Sequence, residues 1–478
     1  MTAFVGIGFA VAAVLHHRAY HSAANDLAFF DQIIWNTAHG RFFATSFVPY
    51  NFLGQHVQPV LLLYALLYRL WPSPELLLVT QAIIAAAAAI PLFHVARRLV
   101  RRDGIAALVA GAYLASPYLH HAVNFDFHPE TMTPFFAFLG YLFILDGRRR
   151  AALCALLPLL VLKEDTVLLL LGIAWLCWLR RERRLAATLA SIAVGWGILT
   201  TLLIMPHFRV GPSDLERRYG YLGKGAAGIL TGLVTHPERA LAHLLTWGTA
   251  LTLLGLLGSA GFLPLAAPVE LLAAVPLLAF HLLSTHAPQS HLRLHYSAEV
   301  LPLIWIAAVC ALTPGPFPTG EGVTRVGHRG LLLTIFPHFS PFPTGEGGWG
   351  VRAVLALLIV CAAIAFWVAS PFPPARGFDL ARFRDDQTHQ EAVAAALALI
   401  PPDASVSAQT GLAPHLAHRE ALFEFPEGIG ASYVLLDTHG DIARPYQSLY
   451  TPLAAMLPDE GYTALSSRDG VTLYERKP

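Results

Sequence analysis

Charge is what this chain has least of. Of its 478 residues only 13% are Asp, Glu, Lys or Arg, against about 25% in an ordinary soluble domain. With 55% hydrophobic residues, a water-soluble globular protein is excluded and an integral membrane protein is implied. A net charge of +1 leaves no electrostatic footprint for a nucleic acid. Lysine occurs only at Lys163, Lys224 and Lys477, so arginine supplies nearly all the positive charge. That bias, with abundant Ala, Leu, Gly and Pro, reflects GC-rich coding rather than function. The four cysteines, Cys154, Cys177, Cys310 and Cys361, lie in apolar runs without a CxxC pair, which excludes a disulfide framework and a zinc site.

The opening run "MTAFVGIGFAVAAVL" has no basic start and no small-residue cleavage site, so it is not a signal peptide. It is also short of the roughly 20 residues that a span requires. Either the helix continues past His16 and His17, or translation starts upstream of Met1; the second is the expectation here.

Apolar runs follow at 76–95, 105–122, 131–145, 151–162, 166–179, 185–205, 241–258, 261–283, 298–312 and 352–369. With the first they make about eleven helices. Arginine clusters at 97–102, 148–150 and 180–184 fall after alternate helices, as expected if all three are cytoplasmic. The apolar piece at 59–71 is too short to span and is expected to be re-entrant or interfacial. Residues 1–370 are then a transmembrane domain in the plasma membrane, with outward loops at 16–58, 123–130, 163–165, 206–240 and 284–297. The inward segment 313–350 carries "PFPTGEG" twice, at 316–322 and 341–347, and reads as a low-complexity cytoplasmic insertion. From Pro371 the pattern changes to helix, turn, strand and helix, then the strands "ASYVLLDT", "YTALSS" and "VTLYER". Residues 371–478 are expected to be a small extracytoplasmic α/β domain.

Polar residues concentrate in the outward loops. The first carries Asp26 and Asp31 with Gln32 and His56, and carboxylates beside a membrane are costly unless paired. In the second, "NFDFHPE", Asp126, His128 and Glu130 alternate, which puts them on one face of an extended segment. The set suits a divalent cation such as Mg or Mn, or a general base; a hydrogen-bonded cap between two helices is the plainer alternative. Lys163, Glu164 and Asp165 interrupt an apolar stretch at membrane depth, where ionisable residues are functional candidates, although a self-neutralising turn would look the same. The fourth loop, with Asp214, Glu216, Arg217 and Arg218, could bind an anionic headgroup or be a solvated loop, and the solvated loop is the expectation. In the fifth, Arg293, His295 and Tyr296 put a guanidinium beside imidazoles, which suits a phosphate or pyrophosphate. Acids and phosphate-binding cations on one side of the membrane describe a transferase that uses a phosphate-linked donor. A transporter or lipid flippase is the competing class, although no inverted repeat is visible, and a non-catalytic membrane scaffold is a third.

The stretches "NDLAFFDQIIWNTAHGRFF", "NFDFHPE", "LLVLKEDT", "HYSAEVLP" and "VSAQTGLAPHLAHREALFEFP" resemble the prokaryotic membrane proteins of domain-of-unknown-function family 2079 across nearly the whole chain except 313–350. That family is similar in layout to the C-type glycosyltransferases. The resemblance implies a polytopic helical enzyme that takes sugar from a polyprenyl-phosphate donor and passes it to a glycan, lipid or protein acceptor, with a catalytic acid in the first outward loop. It points to Asp31 or Asp26 as that acid, although Gln32 stands where the mannosyltransferases carry the second member of an acidic pair. It implies metal-holding roles for Asp126 and Glu130, with His128 beside them. Arg293, Lys163 and His295 would hold the donor phosphate, and His56, Gln32, Glu164, Asp165 and Tyr296 would line the cavity.

Overall fold

The structure is a computed structural model, and it describes residues 1–313, 349–384, 386–438 and 447–477. The repeat-bearing insertion therefore lies almost wholly outside the described residues. The rest is a bundle of apolar helices with a small mixed sheet packed on one end. Three described helices are long and apolar enough to cross a membrane: Pro74–Val100, Arg183–Phe208 and Arg352–Ala369. Two bent pairs reach that length and apolarity together, as a broken span or a re-entrant loop: Pro237–Leu244 with Trp247–Ser259 at 66° and Ala287–Ser297 with Leu301–Ala311 at 72°. Thr2–Arg18, Asp103–Leu114, Pro129–Leu145, Gly225–Thr235 and Pro268–Leu282 are shorter apolar helices. The run expected at 105–122 breaks at Ala115–Ser116, and the loop expected at 206–240 contains the helices Asp214–Tyr219 and Gly225–Thr235 and parts of two more at its ends. The first helix ends at Arg18, so it does run past His16 and His17.

Local chemistry explains where the elements start and break. Ser73 caps Pro74–Val100 by accepting from the Glu75 amide, with Pro74 at the first helical position, where a missing N–H costs nothing. Pro302 forbids a continuous helix through Ser297–Leu301, since its ring collides with the carbonyl four residues back. The break holds Glu299 inside the bundle, fully buried. Arg18, at the end of the first helix, pairs with Glu75 at 2.7 Å. Pro74–Val100 rises about 40 Å from there at 1.5 Å per residue, so Arg97–Arg102 mark the opposite end of the bundle.

The C-terminal sheet has the order β2-β1-β3-β5-β4. β1 (Val406–Ala408) pairs in parallel with both β2 (Leu422–Glu424) and β3 (Tyr433–Asp437). β5 (Val471–Arg476) runs antiparallel to β3 and to β4 (Tyr462–Arg468). Asp469 and Gly470 close the β4–β5 hairpin, both at positive φ (48° and 78°), the backbone that a two-residue turn between twisted strands needs. The expected second helix is only a 3₁₀ turn, Ala413–His415, and β2 has no counterpart in the sequence reading.

The sheet domain shares a core with the first loop. Ala24 and Ala28 pack with Val406, Ala408 and Leu412. The Ala24 amide donates to Thr410 Oγ1 at 3.1 Å, and Ser46 Oγ both donates to the Leu422 carbonyl and accepts from its amide.

Candidate functional site

At the end of the bundle that bears the sheet domain lies a cavity of about 700 Å³. Its wall takes in Asp26 from the first loop, His56 and Gln58 farther along it, His128 and Glu130 from the second, and Lys163, Glu164 and Asp165 from the third. His295 and Tyr296 from the fifth loop complete this polar part. An apolar part is formed by Val167, Leu168, Leu202 and Met205.

Lys163 organises the polar part. Its backbone is extended between Pro158–Leu162 and the turn Glu164–Thr166, which projects the side chain inward, where it is 5% exposed. Nζ lies 3.0 Å from Glu130, 3.1 Å from Asp165 and 3.3 Å from Glu299, so the ammonium is enclosed by three carboxylates and donates a hydrogen bond to Glu299. One cation among three acids cannot neutralise them all. Burial and the Glu299 charge push Asp165 up to about 8, which keeps that carboxyl protonated at neutral pH. Lys163 is thus committed to the wall and is not a free phosphate ligand. Glu130 also accepts from Gln58 Nε2 at 3.3 Å. Glu164 accepts from His56 at 2.8 Å and from the Val57 amide at 3.0 Å.

Asp26 is placed differently. His128 stacks on His295 with ring centroids 3.6 Å apart and reaches Asp26 through Nε2 at 3.3 Å. Its Nδ1 meets the Asp126 carbonyl at 3.2 Å. Burial pulls the His128 imidazole down, but Asp26 and Glu130 outweigh it and leave its pKa raised. The Asp26 side chain keeps 23% exposure, so it is an oriented carboxylate that remains accessible.

The expected site residues separate along these lines. Asp26, His128, Glu130, Lys163, Glu164, Asp165, His295, Tyr296 and His56 share the cavity. Asp31, Gln32, Asp126 and Arg293 do not line it. Asp31, 1% exposed, accepts from Tyr68 Oη at 2.7 Å and from His418 Nε2 at 3.1 Å. Gln32 fastens the first loop to the sheet domain through Ser46 Oγ at 2.9 Å and the Arg419 carbonyl at 3.0 Å. Asp126 takes the Ala23 amide at 2.6 Å, and burial, with Asp26 nearby, pushes it up to about 7. Arg293 is exposed. Asp126, His128 and Glu130 therefore face three different partners. Among the described residues no three His, Cys, Asp or Glu side chains gather closely enough to hold a metal ion.

Two further arginines join the wall, Arg209, which the sequence reading did not single out, and Arg218, from the loop for which an anionic headgroup site was the less favoured alternative. Arg218 donates to Gln289 Oε1 at 2.8 Å and to Asp214 at 3.4 Å, and Arg209 uses Nε on the Gly54 carbonyl at 2.8 Å. Both line the cavity. They come from the loop that composition alone makes look solvated. Glu299 was legible in principle, as an acid just ahead of the apolar run "VLPLIWIAAV".

The fold is similar to that of ArnT from Cupriavidus metallidurans, solved in a crystal structure bound to undecaprenyl phosphate. The TM-score is 0.51 at 12% identity, covering 100% of both chains. No curated protein matches the sequence. The profile described as "Predicted membrane protein (DUF2079)" matches residues 16–471, and the chain belongs to that family.

Proposed function

We propose that this protein is a membrane glycosyltransferase that moves a sugar from a polyprenyl-phosphate donor to a hydroxyl-bearing acceptor on the outer side of the plasma membrane. The observation that carries the reading is the pairing, in one cavity, of an oriented and accessible carboxylate with two arginines beside an apolar wall. The ArnT-like fold, in a protein solved with undecaprenyl phosphate, supports it, as does the resemblance to the C-type glycosyltransferases.

Asp26, held by His128, takes the proton from the acceptor hydroxyl. The acceptor oxygen attacks the anomeric carbon, the bond from that carbon to the phosphate oxygen breaks, and the polyprenyl phosphate leaves with the electron pair. Arg218 and Arg209, rather than Arg293 and Lys163, meet the charge that develops on the leaving phosphate. The wall of Val167, Leu168, Leu202 and Met205 takes the first isoprene units of the tail. No step is routed through a metal, because the side chains expected to hold one are committed to separate partners. The sheet domain, fastened to the first loop, lies on the outer face and borders the site where the acceptor arrives.

The test is donor consumption in nanodiscs, with a panel of radiolabelled polyprenyl-phosphate sugars. Wild type should consume at least one donor. Asp26→Asn should slow consumption by about 10²-fold or more, while Asp31→Asn retains most of it once folded protein is normalised. If no donor is consumed by folded wild-type protein, the reading is overturned and transport of the same lipids becomes the reading to test. If Asp31→Asn abolishes turnover and Asp26→Asn does not, the base is misassigned.

A further inference from the structure

Asp26 sits in a turn that brings no cap of its own. Ala24–Ala28 is a single π turn, closed by a bond from the Ala28 amide to the Ala23 carbonyl at 3.3 Å, and it runs directly into Phe29–Ala38. The residue at its N-cap, Ala23, has no side-chain acceptor to offer the free amides of the first turn, and alanine is a poor choice for that position. The acceptors come from elsewhere in the chain. The Ala23 amide donates to Asp126 Oδ2 at 2.6 Å, and the Ala24 amide donates to Thr410 Oγ1 at 3.1 Å. Asn25, which lines the cavity beside Asp26, donates through Nδ2 to Glu424 Oε2.

Two of these three anchors belong to the sheet domain. Glu424 is the last residue of β2, and Thr410 lies two residues past β1. Both therefore stand at the carboxyl ends of parallel strands, the side on which an open α/β sheet ordinarily seats a ligand. Here the first loop takes that seat: Ala24 and Ala28, both fully buried, lie in one apolar cluster with Ala408, Leu412 and Ala413. The two anchors differ in strength. The bond to Thr410 is buried, and a buried amide stripped of its acceptor is costly. Asn25 is exposed, so water weakens its bond to the Glu424 carboxylate. Single π turns are rare and concentrate at functional sites. Relaxed to an α turn, this one would swing Asp26 by about the 100° that one residue adds to a helix, away from His128.

We propose that Thr410, assisted by Glu424, is a positioning residue for Asp26: the sheet domain supplies the cap that the π turn lacks and so holds the carboxylate against His128. Neither Thr410 nor Glu424 lines the cavity, so both act through the turn and not on substrate. The catalytic consequence rests on the transferase reading; the anchoring of the turn does not.

The test uses the full chain in nanodiscs and two kinds of readout. One needs no activity: amide exchange across residues 23–28, and the titration of the His128 imidazole, followed by deuterium exchange at its Cε1 and mass spectrometry. Burial lowers that imidazole, while Asp26 and Glu130 hold it up, so a displaced Asp26 should let its pKa fall. Thr410→Val, which keeps the shape and loses the hydroxyl, should lower the His128 pKa and speed exchange across 23–28. The other readout is turnover of a donor that wild type consumes. There Thr410→Val should lower kcat about tenfold with KM little changed, and Thr410→Ser, which keeps the acceptor, should restore both readouts. Glu424→Ala should produce the same changes more weakly, about twofold in kcat. Asp31→Asn, at the same junction, should lower Tm yet leave His128 and kcat near wild type. An unchanged His128 and unchanged exchange in folded Thr410→Val overturn the anchor. Equal shifts in Asp31→Asn overturn it as well, because they reduce Thr410 to general stability. A shifted His128 with kcat unchanged removes Thr410 from the catalysis. Wild type that consumes no donor sinks the transferase reading, while His128 and the exchange across 23–28 still decide the anchor.

Discussion

The cavity and the domain junction are both built on Asn25–Trp35, and they treat a carboxylate in opposite ways. Five residues along a helix turn the chain by about 140°, so Asp26 and Asp31 face different surroundings. Asp31 is shut between Tyr68 and His418. Asp26 has one imidazole partner and keeps an open side. A buried acid with its hydrogen-bond partners in place is part of the structure; an oriented acid with room in front of it can do chemistry. Within the cavity the same contrast recurs between Lys163, enclosed by three acids, and Arg218, which remains at the edge.

The largest effect should come from breaking the enclosed cluster. Lys163→Met leaves Glu130, Asp165 and Glu299 buried without their cation, and removing one partner from a buried ion pair costs about 3–5 kcal/mol. The variant should lose folded yield on size exclusion or show a sharply lowered Tm. A Tm near that of wild type would mean that the three acids carry their own protons, and Lys163 would return as a candidate phosphate ligand.

Next comes the pH dependence of Asp126. Its carboxyl, pushed up to about 7 in the folded chain by burial and by Asp26, keeps a proton that the unfolded chain has shed from about pH 4 upward. The folded state binds more protons in that window, so stability falls as pH rises from about 4 to about 7 and then levels off, by up to about 4 kcal/mol. Asp126→Asn should flatten that slope when Tm is followed across the range. A slope that survives the substitution assigns it to another group, with Asp165 the first to test.

How much of this was legible follows from which interactions are local. Membrane residence, the helical bundle and the sheet domain rest on composition and periodicity, and they are visible in runs such as 76–95 and in "ASYVLLDT". The gathering of Asp26, His128, Glu130, Lys163 and His295 was anticipated because positive-inside reasoning puts their loops on one face. What could not be read is rotation about a helix axis, which separates Asp26 from Asp31, and the reach of long side chains. Arg209 and Arg218 meet the cavity because the segment at 206–240 folds into helices over it, whereas Arg293 turns away. Breaks at proline were also hidden as spans: 105–122 and 298–312 look continuous in hydropathy, yet one breaks at Ala115–Ser116, just ahead of Pro117, and the other is bent ahead of Pro302.

At the junction, Asp31→Asn and His418→Gln should each cost about 1–3 kcal/mol by leaving a buried polar group without its partner. Burial pulls the His418 imidazole down, but the hydrogen bond and charge of Asp31 outweigh it, so its pKa is raised. A raised imidazole lends stability fully below its ordinary range and loses it as pH climbs through the raised value. Limited proteolysis ahead of Gln387–Ala398 should therefore speed up with rising pH in wild type and lose that dependence in His418→Gln. Equal dependence in both would detach the latch from this pair.

The smallest effect sharpens the same comparison from the exposed side. Arg41 reaches Glu420 across the same junction at 2.6 Å, shorter than any contact of Asp31, yet the two side chains are 35% and 70% exposed. Water screens such a pair and side-chain entropy opposes it, so Glu420→Gln should cost less than about 1 kcal/mol. The proteolysis rate should barely move, and what change there is should shrink further in high salt. If Glu420→Gln loosened the sheet domain as much as Asp31→Asn, burial would not be what separates a structural acid from a decorative one here, and the argument that sets Asp31 apart from Asp26 would lose its physical basis.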